Sequence, residues 1–197
     1  MGDGTDKAGW RARLRAARRR LDAAELAVAA ASVRGHVVAE LAGARRIAAY
    51  VPVIGEPGSL DLVDALAGGG IEVLLPLVVP EGLDWVVYAG RDRLVAGPFG
   101  LWEPDGARLG TAVVATADAV LVPALAVDRA GTRLGRGGGY YDRTLAWVAP
   151  GTPVAALLHD GELVDELPAD PWDRRVTAAV TPTSGWTELP AGRHHDG

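Results

Sequence analysis

The sequence predicts an α/β protein, a single three-layer α/β/α sandwich built around a mainly parallel sheet. Its 197 residues are enough for one well-buried domain and few for two. The clearest support is a strand–helix–strand order, with apolar strands at 46–52 and 71–76 and a helix at 59–67 between them. A helix that joins two such strands favours a parallel pair with a right-handed crossover. No internal repeat or linker divides the chain, so we expect residues 1–197 to form one domain.

Two helices are predicted before this unit, and further strands after it. Residues 7–20 form a strongly basic helix, and residues 23–42 form a second helix with an apolar stripe, which ends at Gly43. We expect the polar tail from about residue 186 to fray. The other predicted elements are an antiparallel excursion at 83–89 and 93–97, a loop at 97–104, strands at 117–128, 152–159 and 175–182, and a short helix at 140–147.

The composition excludes several classes of protein. The chain has no cysteine, so disulfides, thiolate metal sites and cysteine nucleophiles are excluded. Its net charge of −5 argues against general binding to nucleic acid or to anionic membranes. No apolar run approaches the roughly 18–20 residues that a membrane span needs, and the N-terminal segment lacks the apolar core of a signal peptide. We therefore expect a cytoplasmic protein with no nucleic-acid or membrane partner.

The segment RLGRGGGYYDR, which begins at Arg133, follows a predicted strand and precedes a predicted helix. Glycines in such a turn let backbone N–H groups converge on an anion, although a purely structural turn would also explain them. The spacing is that of neither a Walker loop nor a dinucleotide fingerprint. Arg136 adds a second positive charge, and Asp142 could hold a divalent ion that bridges phosphates. Tyr140 and Tyr141 offer flat faces to a planar ligand.

Lys7 is the only lysine among the 20 basic residues. In a chain so rich in arginine, a remaining lysine is a candidate for a role that needs a compact ammonium, and chance survival is the alternative. Lys7 and Arg11 lie four residues apart and therefore share one helix face. A polyphosphate there would offset the cost of positive charge near a helix N-terminus. An ordinary solvated basic helix explains the same spacing.

Two carboxylates near predicted strands are further candidates. Glu56 lies in the loop after the first strand, and loops beyond the carboxyl ends of parallel strands are where open α/β sheets bind ligands. Asp173 comes shortly before the last strand, and Glu103 lies in a similar loop. From position alone, the simpler interpretation of each is a surface acid. The four histidines show no metal-binding spacing, and no serine–histidine–acid set is recognisable.

The most specific motif is VPALAVDRAGTRLGRGGGYYDRTL, at residues 122–145. It is accompanied along nearly the whole chain by Lys7-x-x-x-Arg11 with Arg18 and Arg19, by Tyr50-x-Pro52 with Glu56, by GPFGLWEP at 97–104, and by Asp173. Taken together, these segments resemble the 5-formyltetrahydrofolate cyclo-ligases, also called 5,10-methenyltetrahydrofolate synthetases.

This resemblance implies a compact α/β/α sandwich that uses ATP and Mg²⁺ to close the 5-formyl group of folate onto N10, giving 5,10-methenyltetrahydrofolate, ADP and phosphate. It implies an ATP site formed by Lys7, Arg11, Arg133, Leu134, Gly135, Arg136, Gly137, Gly138, Gly139, Tyr140 and Tyr141. The implied folate site contains Val51, Glu56, Arg136, Gly137, Gly138, Gly139 and Tyr140. Asp142 and Asp173 would lie at the magnesium ion.

The chain departs from the pattern of this family at Gly138 and at Val51, which is smaller than the residues often found there. Many members have a lysine where this chain has Gly138, which leaves Lys7 as the only ammonium available to a phosphate. Such a reaction needs cations, Mg²⁺ and backbone donors more than a strong base. Two alternatives are a non-catalytic folate- or nucleotide-binding relative and a sugar-phosphate enzyme of similar architecture. The implied partner is a small-molecule substrate, and we expect a monomer.

Overall fold

The computed structural model describes residues 6–80 and 82–190. Its α-helices are α1 (Lys7–Arg18), α2 (Ala23–Glu40), α3 (Leu60–Gly68) and α4 (Tyr140–Leu145). Its strands are β1 (Arg46–Ala48), β2 (Glu72–Val79), β3 (Gly82–Val87), β4 (Leu94–Ala96), β5 (Trp102–Pro104), β6 (Ala119–Pro123), β7 (Ala126–Asp128), β8 (Arg133–Leu134), β9 (Val154–Leu157), β10 (Leu163–Val164), β11 (Ala178–Thr181) and β12 (Gly185–Glu188). Within these residues, no helix is long and apolar enough to cross a membrane.

The central sheet has the strand order β12-β11-β9-β6-β1-β2-β3. The five inner strands run parallel to one another, and β3 and β12 pair antiparallel at the two edges. Helix α3 connects β1 to β2, which lie side by side with Ile47 opposite Val73. The predicted α/β fold with a mainly parallel sheet is therefore confirmed.

Local sequence signals explain where the first helices begin and where α3 ends. Asp6 accepts a hydrogen bond from the backbone N–H of Gly9 at 2.7 Å and thereby caps α1. Asp22 and Glu25 form a reciprocal capping box at the start of α2. After α3, Gly70 has a φ of 86°, a left-handed conformation that suits glycine and turns the chain towards β2.

The two faces of the central sheet are covered differently. On one face, Val33 and Val37 of α2 and Leu66 of α3 pack against the strands and are almost fully buried. On the other face, α4 and the 3-10 turn at 111–116 cover a core that includes Trp85. Helix α1 packs elsewhere: Leu14 contacts the small sheet β10-β7-β8 through Leu134 and its neighbours.

Three elements differ from their predicted form. The apolar run at 117–128 is split after Pro123, because β6 stays in the central sheet while β7 joins the small one. The loop expected at 97–104 contains β5, which pairs with β4. The tail expected to fray from about 186 is instead ordered to Glu188 in β12, because a turn at Gly185 folds the chain back and Trp186 packs against the core. Residues 191–197 of that tail lie outside the described residues.

Candidate active site

A cavity of about 1090 Å³ lies at the carboxyl ends of the parallel strands. The segment that follows β1 contributes Tyr50 and Val51 to its wall, and the end of β6 contributes Pro123. The cavity is large enough for a small organic ligand. Every site residue named above lines it: Lys7, Arg11, Val51, Glu56, Arg133, Leu134, Gly135, Arg136, Gly137, Gly138, Gly139, Tyr140, Tyr141, Asp142 and Asp173.

The glycine-rich loop forms one wall of this cavity and is attached to α1. The Nε–H of Arg11 donates a hydrogen bond to the carbonyl of Gly135 at 2.9 Å. Gly137 has a φ of 108°, and a Cβ placed there would lie 3.7 Å from the Arg11 guanidinium. Gly139 has a φ of 67° directly before α4. Glycine is required at these two turns because other residues rarely adopt a positive φ.

Lys7 binds two carboxylates at once. Its Nζ lies 2.6 Å from the Oδ2 of Asp170 and 2.6 Å from the Oδ2 of Asp173. The Asp173 oxygen also accepts the backbone N–H of Asp170 at 2.8 Å, which fixes the two acids side by side. Burial lowers the pKa of Lys7, but its hydrogen bonds to the two acids outweigh this and raise the pKa above its usual value.

Arg133 and Asp142 form a second charged group on the cavity wall. The Nη2 of Arg133 lies 2.9 Å from the Oδ1 of Asp142, and the Arg133 side chain is only 5 % exposed. Its buried Nε has no hydrogen-bond partner among the described residues. The Arg133 guanidinium also lies over the ring of Tyr141, 5.7 Å from the ring centroid. Burial, followed by the charge of Glu56, raises the pKa of Tyr141.

Glu56 forms the third charged group with Arg136. The Oε1 of Glu56 lies 2.9 Å from the Nη2 of Arg136, and its Oε2 accepts the backbone N–H of Val53 at 3.1 Å. The Glu56 side chain is 7 % exposed, although it reaches the cavity wall. The loop after β1, which carries Glu56, is also held by a hydrogen bond of 3.1 Å between the Nε2 of His159 and the carbonyl oxygen of Gly55.

Tyr50 places an unpaired polar atom beside this carboxylate. Its hydroxyl is buried and has no hydrogen-bond partner among the described residues. Burial, followed by the charge of Glu56, raises the pKa of Tyr50 well above its usual value. A buried hydroxyl without a partner is costly, and a ligand in the cavity that Tyr50 lines would supply one.

Comparison with known proteins gives the family. Residues 3–182 match the model of the 5-formyltetrahydrofolate cyclo-ligase family. The chain belongs to this family. It is 45 % identical over 166 residues to the 5-formyltetrahydrofolate cyclo-ligase of Mycolicibacterium smegmatis, covering 81 % of this chain and 85 % of that protein. It is 33 % identical over 147 residues to the Escherichia coli K12 protein of the same name, covering 73 % of this chain and 81 % of that one.

A solved structure agrees with this assignment. The NMR structure of 5,10-methenyltetrahydrofolate synthetase from Aquifex aeolicus superposes on this cyclo-ligase family member with a TM-score of 0.80 at 28 % sequence identity. The likeness covers 97 % of this chain and 99 % of that one. The superposition therefore includes nearly the whole of this chain.

The acids named for a metal site in this family member are on the cavity wall but are already paired. Asp142 lies against Arg133, and Asp173 lies against Lys7. Among the described residues, no group of three or more histidines, aspartates or glutamates is placed to hold a metal ion. Mg²⁺ commonly takes only one or two protein carboxylates and completes its shell with phosphates and water. Two carboxylates on the wall of one cavity fit that pattern.

Several cavity residues of this cyclo-ligase family member were not singled out from the sequence. Asp170 is the second partner of Lys7, and the spacing ADPWD, which places it three residues before Asp173, is the signal that could have found it. Trp102 and Trp172 line the same cavity with largely exposed rings. Trp102 begins β5 and Trp172 lies in a loop, and a single tryptophan at either place carries no sequence signal of a site.

Proposed function

We propose that this protein converts 5-formyltetrahydrofolate to 5,10-methenyltetrahydrofolate with ATP and Mg²⁺, releasing ADP and phosphate. The observation that carries the proposal is that one cavity gathers the cations of α1, the glycine-rich loop and the Glu56 carboxylate, which are far apart in sequence. Membership of the cyclo-ligase family supports the same reaction.

The chemistry explains why both a nucleotide and a folate must fit in one cavity. The formyl oxygen attacks the terminal phosphorus of ATP, and ADP leaves. N10 then attacks the formyl carbon and loses its proton, and the oxygen departs as part of phosphate. Hydroxide would be a poor leaving group, so phosphorylation lowers the barrier to ring closure. The protein's contribution is to align the two substrates and stabilise the charge on the transferred phosphoryl group.

Lys7, Arg11 and Arg133 form the phosphate end of the proposed site. Lys7 and Arg11 reach the cavity from α1, and Arg133 reaches it from β8. Lys7 is held by two carboxylates, so a triphosphate that replaced them would keep the ammonium paired. Asp142 and Asp173 would hold Mg²⁺ together with the phosphates, and the ion would neutralise charge that develops on the transferred group.

Glu56 and Val51 form the folate end of the proposed site. An ionised carboxylate can accept hydrogen bonds but cannot donate them, and the pterin ring carries several N–H donors. Glu56 is held in place by Val53 and Arg136, so its orientation is set before a ligand arrives. The Tyr140 ring and the apolar Val51 side chain line the cavity and suit the flat pterin.

The test is a turnover assay on the intact chain. We would mix the protein with 5-formyltetrahydrofolate, ATP and Mg²⁺ and follow the absorbance of the methenyl product together with ADP release. Both should rise in parallel, and leaving out ATP should abolish both signals. Folded protein that gives no absorbance change would overturn the proposal, and binding of both ligands without ADP release would favour a non-catalytic relative.

A further inference from the structure

The tip of the loop after β1, which carries Glu56, has little packing around it. Ile54 is fully exposed, and a Cβ added at Gly55 would meet no other atom within 4 Å. Inside the loop, the N–H of Glu56 donates to the Val53 carbonyl at 3.0 Å, and the N–H of Val53 donates to the Glu56 carboxylate at 3.1 Å. These internal bonds set the shape of the tip, so its position depends on hydrogen bonds from other parts of the chain.

Within the part of the chain that the structure describes, two side chains form such hydrogen bonds to residues 51–58. The Nη2 of Arg136 lies 2.9 Å from the Oε1 of Glu56, and the Nε2 of His159 lies 3.1 Å from the carbonyl oxygen of Gly55. A carbonyl oxygen only accepts hydrogen bonds, so the Nε2 of His159 is the donor. The two side chains differ in burial, because Arg136 is 53 % exposed and His159 only 6 %.

His159 is itself fixed by a buried ion pair. Its backbone N–H donates to the Oε2 of Glu162 at 2.8 Å, and Arg18 donates to both carboxylate oxygens of Glu162 at 2.7 Å. Arg18 also donates to the carbonyl of Ala124 at 2.6 Å, next to the end of β6. Both charged side chains are buried. A buried polar network whose members are paired in this way is rigid, so His159 is a fixed point for the loop.

We propose that His159 is a positioning residue that keeps Glu56 in place at the folate end of the active site, and the proposal rests on the proposed function. Its contribution is largest when a substrate is bound. Arg136 lines the cavity, so an anionic group of a ligand would compete with Glu56 for its guanidinium. His159 does not line the cavity, so its hydrogen bond to Gly55 is the one of the two that a ligand leaves intact.

A buried histidine that only stabilises the fold would make the same hydrogen bond. The chain offers a matched comparison, because the Nε2 of His36 also lies 3.1 Å from a backbone carbonyl, that of Pro182. This bond connects α2 to the residue that follows β11, and neither His36 nor Pro182 lines the cavity. A bond that is only structural affects the free energy of unfolding, whereas a positioning bond also affects the affinity for folate.

The experiment measures KM for 5-formyltetrahydrofolate and for ATP in His159→Phe, His159→Gln and His36→Phe. Phenylalanine keeps a ring but has no donor, so His159→Phe should raise KM for folate about three- to tenfold, the effect of one hydrogen bond. Its KM for ATP and its kcat should stay close to the wild-type values, since Glu56 contributes to folate binding. Glutamine can place an N–H near the position of Nε2, so His159→Gln should restore most of the folate affinity. His36→Phe should lower stability without raising either KM.

A double-mutant cycle tests whether His159 acts through Glu56. If it does, His159→Phe should raise KM for folate much less in the Glu56→Gln background than in the wild-type background, because the two changes disturb the same interaction. Effects that simply multiply would show that the two residues act independently and would overturn the positioning role.

Hydrogen exchange gives a second measurement, which needs no turnover. In the unliganded protein, His159→Phe should speed the exchange of the backbone amides of Val53 and Glu56 several-fold, because the loop opens more often. His36→Phe should leave these two amides unchanged. If His159→Phe does not fold, His159→Asn replaces it in both measurements, since its amide is too short to reach the Gly55 carbonyl.

Each outcome bears on one proposal. An unchanged KM for folate in His159→Phe, a loss as large in His159→Gln, or an equal rise in His36→Phe would overturn the positioning role of His159. Absence of turnover in the wild-type protein would overturn the proposed function instead. Exchange at Val53 and Glu56 would then still show whether His159 holds the loop, so the two failures are distinguishable.

Discussion

The two faces of the central sheet are built for different purposes. One face is closed by α2 and α3, whose Val33, Val37 and Leu66 are fully or nearly fully buried in a continuous apolar core. The other face is covered by the six-residue helix α4 and a 3-10 turn, and α4 also lines the cavity of about 1090 Å³ that lies beside the glycine-rich loop at the ends of the strands. A short helix buries less apolar surface than a long one, and it leaves space for polar groups that a ligand can reach.

The two regions differ most clearly in the charged side chains that they contain. The closed face has an apolar lining, whereas the cavity wall holds Lys7 with two aspartates, Arg133 with Asp142, and Arg136 with Glu56. Such pairs keep partly buried charges neutralised until a ligand arrives. We therefore expect substitutions on the cavity wall to change catalysis and substitutions on the closed face to change stability.

The largest effect is expected for Lys7→Ala, which removes the only lysine of the chain. Loss of a cation that stabilises a transferred phosphoryl group costs about 3–4 kcal/mol, or roughly 10²- to 10³-fold in kcat. The variant should also bind ADP more weakly, which isothermal titration calorimetry would measure. Lys7→Arg keeps the charge but not the compact ammonium, so it should restore activity only in part. Unchanged nucleotide affinity in Lys7→Ala would contradict the proposed role.

On the closed face, Leu66→Ala should lower the free energy of unfolding by about 3 kcal/mol, because it leaves a cavity in a well-packed core. Urea titration would measure the change. Leu109→Ala, at a partly exposed site, is the control and should cost less than about 1 kcal/mol. At a temperature where both variants are folded, their kcat values should equal that of the wild type. A loss of kcat in folded Leu66→Ala would contradict the expectation that substitutions on the closed face change stability and not catalysis.

Part of the fold could be predicted from the sequence, and part could not. Apolar runs and helix stops indicated β1, α3 and β2 correctly, because alternation and spacing report which side chains are buried. They could not show that the run at 117–128 divides between two sheets, since both halves are equally buried. Nor could they anticipate β12, whose short length gives little pattern.

The candidate site was accessible from sequence mainly through motifs. The glycine-rich segment and the isolated Lys7 were noticed from residue types, but their meeting in one cavity depends on how α1 crosses the small sheet. Asp170 pairs with Lys7 across 163 residues; the ADPWD spacing places it near Asp173 but does not show which cation it meets. Spacing rules describe neighbours within an element, whereas partners from distant elements are set by the tertiary fold.

A smaller effect is expected at the folate end, for Glu56→Gln. A hydrogen bond to a charged group contributes about 1.5–3 kcal/mol, so KM for 5-formyltetrahydrofolate should rise roughly ten- to hundredfold while KM for ATP changes little. Initial-rate kinetics with each substrate varied in turn would measure both. Glu166→Gln, at an exposed acid that does not line the cavity, should behave as wild type. A larger change in KM for ATP than for folate would reverse the assignment of the two ends.

The smallest effect concerns the stability that the Lys7 ion pairs provide. Burial lowers the pKa of Lys7, but its hydrogen bonds to Asp170 and Asp173 raise it above the ordinary 10.5. Because the folded state binds this proton more tightly than the unfolded state, the stabilisation is fully present below about pH 10.5 and is lost as the pH rises through the folded-state pKa. The unfolding free energies of wild type and Lys7→Gln should therefore differ by about 1 kcal/mol or less near pH 8, and the difference should shrink above pH 10.5.

That difference is the correct quantity to follow, because Tyr50 and Tyr141 also have raised pKa values. Above pH 10 their ionisation favours the unfolded state in both proteins alike, so it cancels in the comparison. The pKa itself can be measured directly, since lysine labelled with ¹³C at Cε gives a single side-chain signal from the one lysine of this chain. A titration midpoint at or below 10.5 would show that the two aspartates do not hold the ammonium, and the cavity wall would then lack its tightest ion pair.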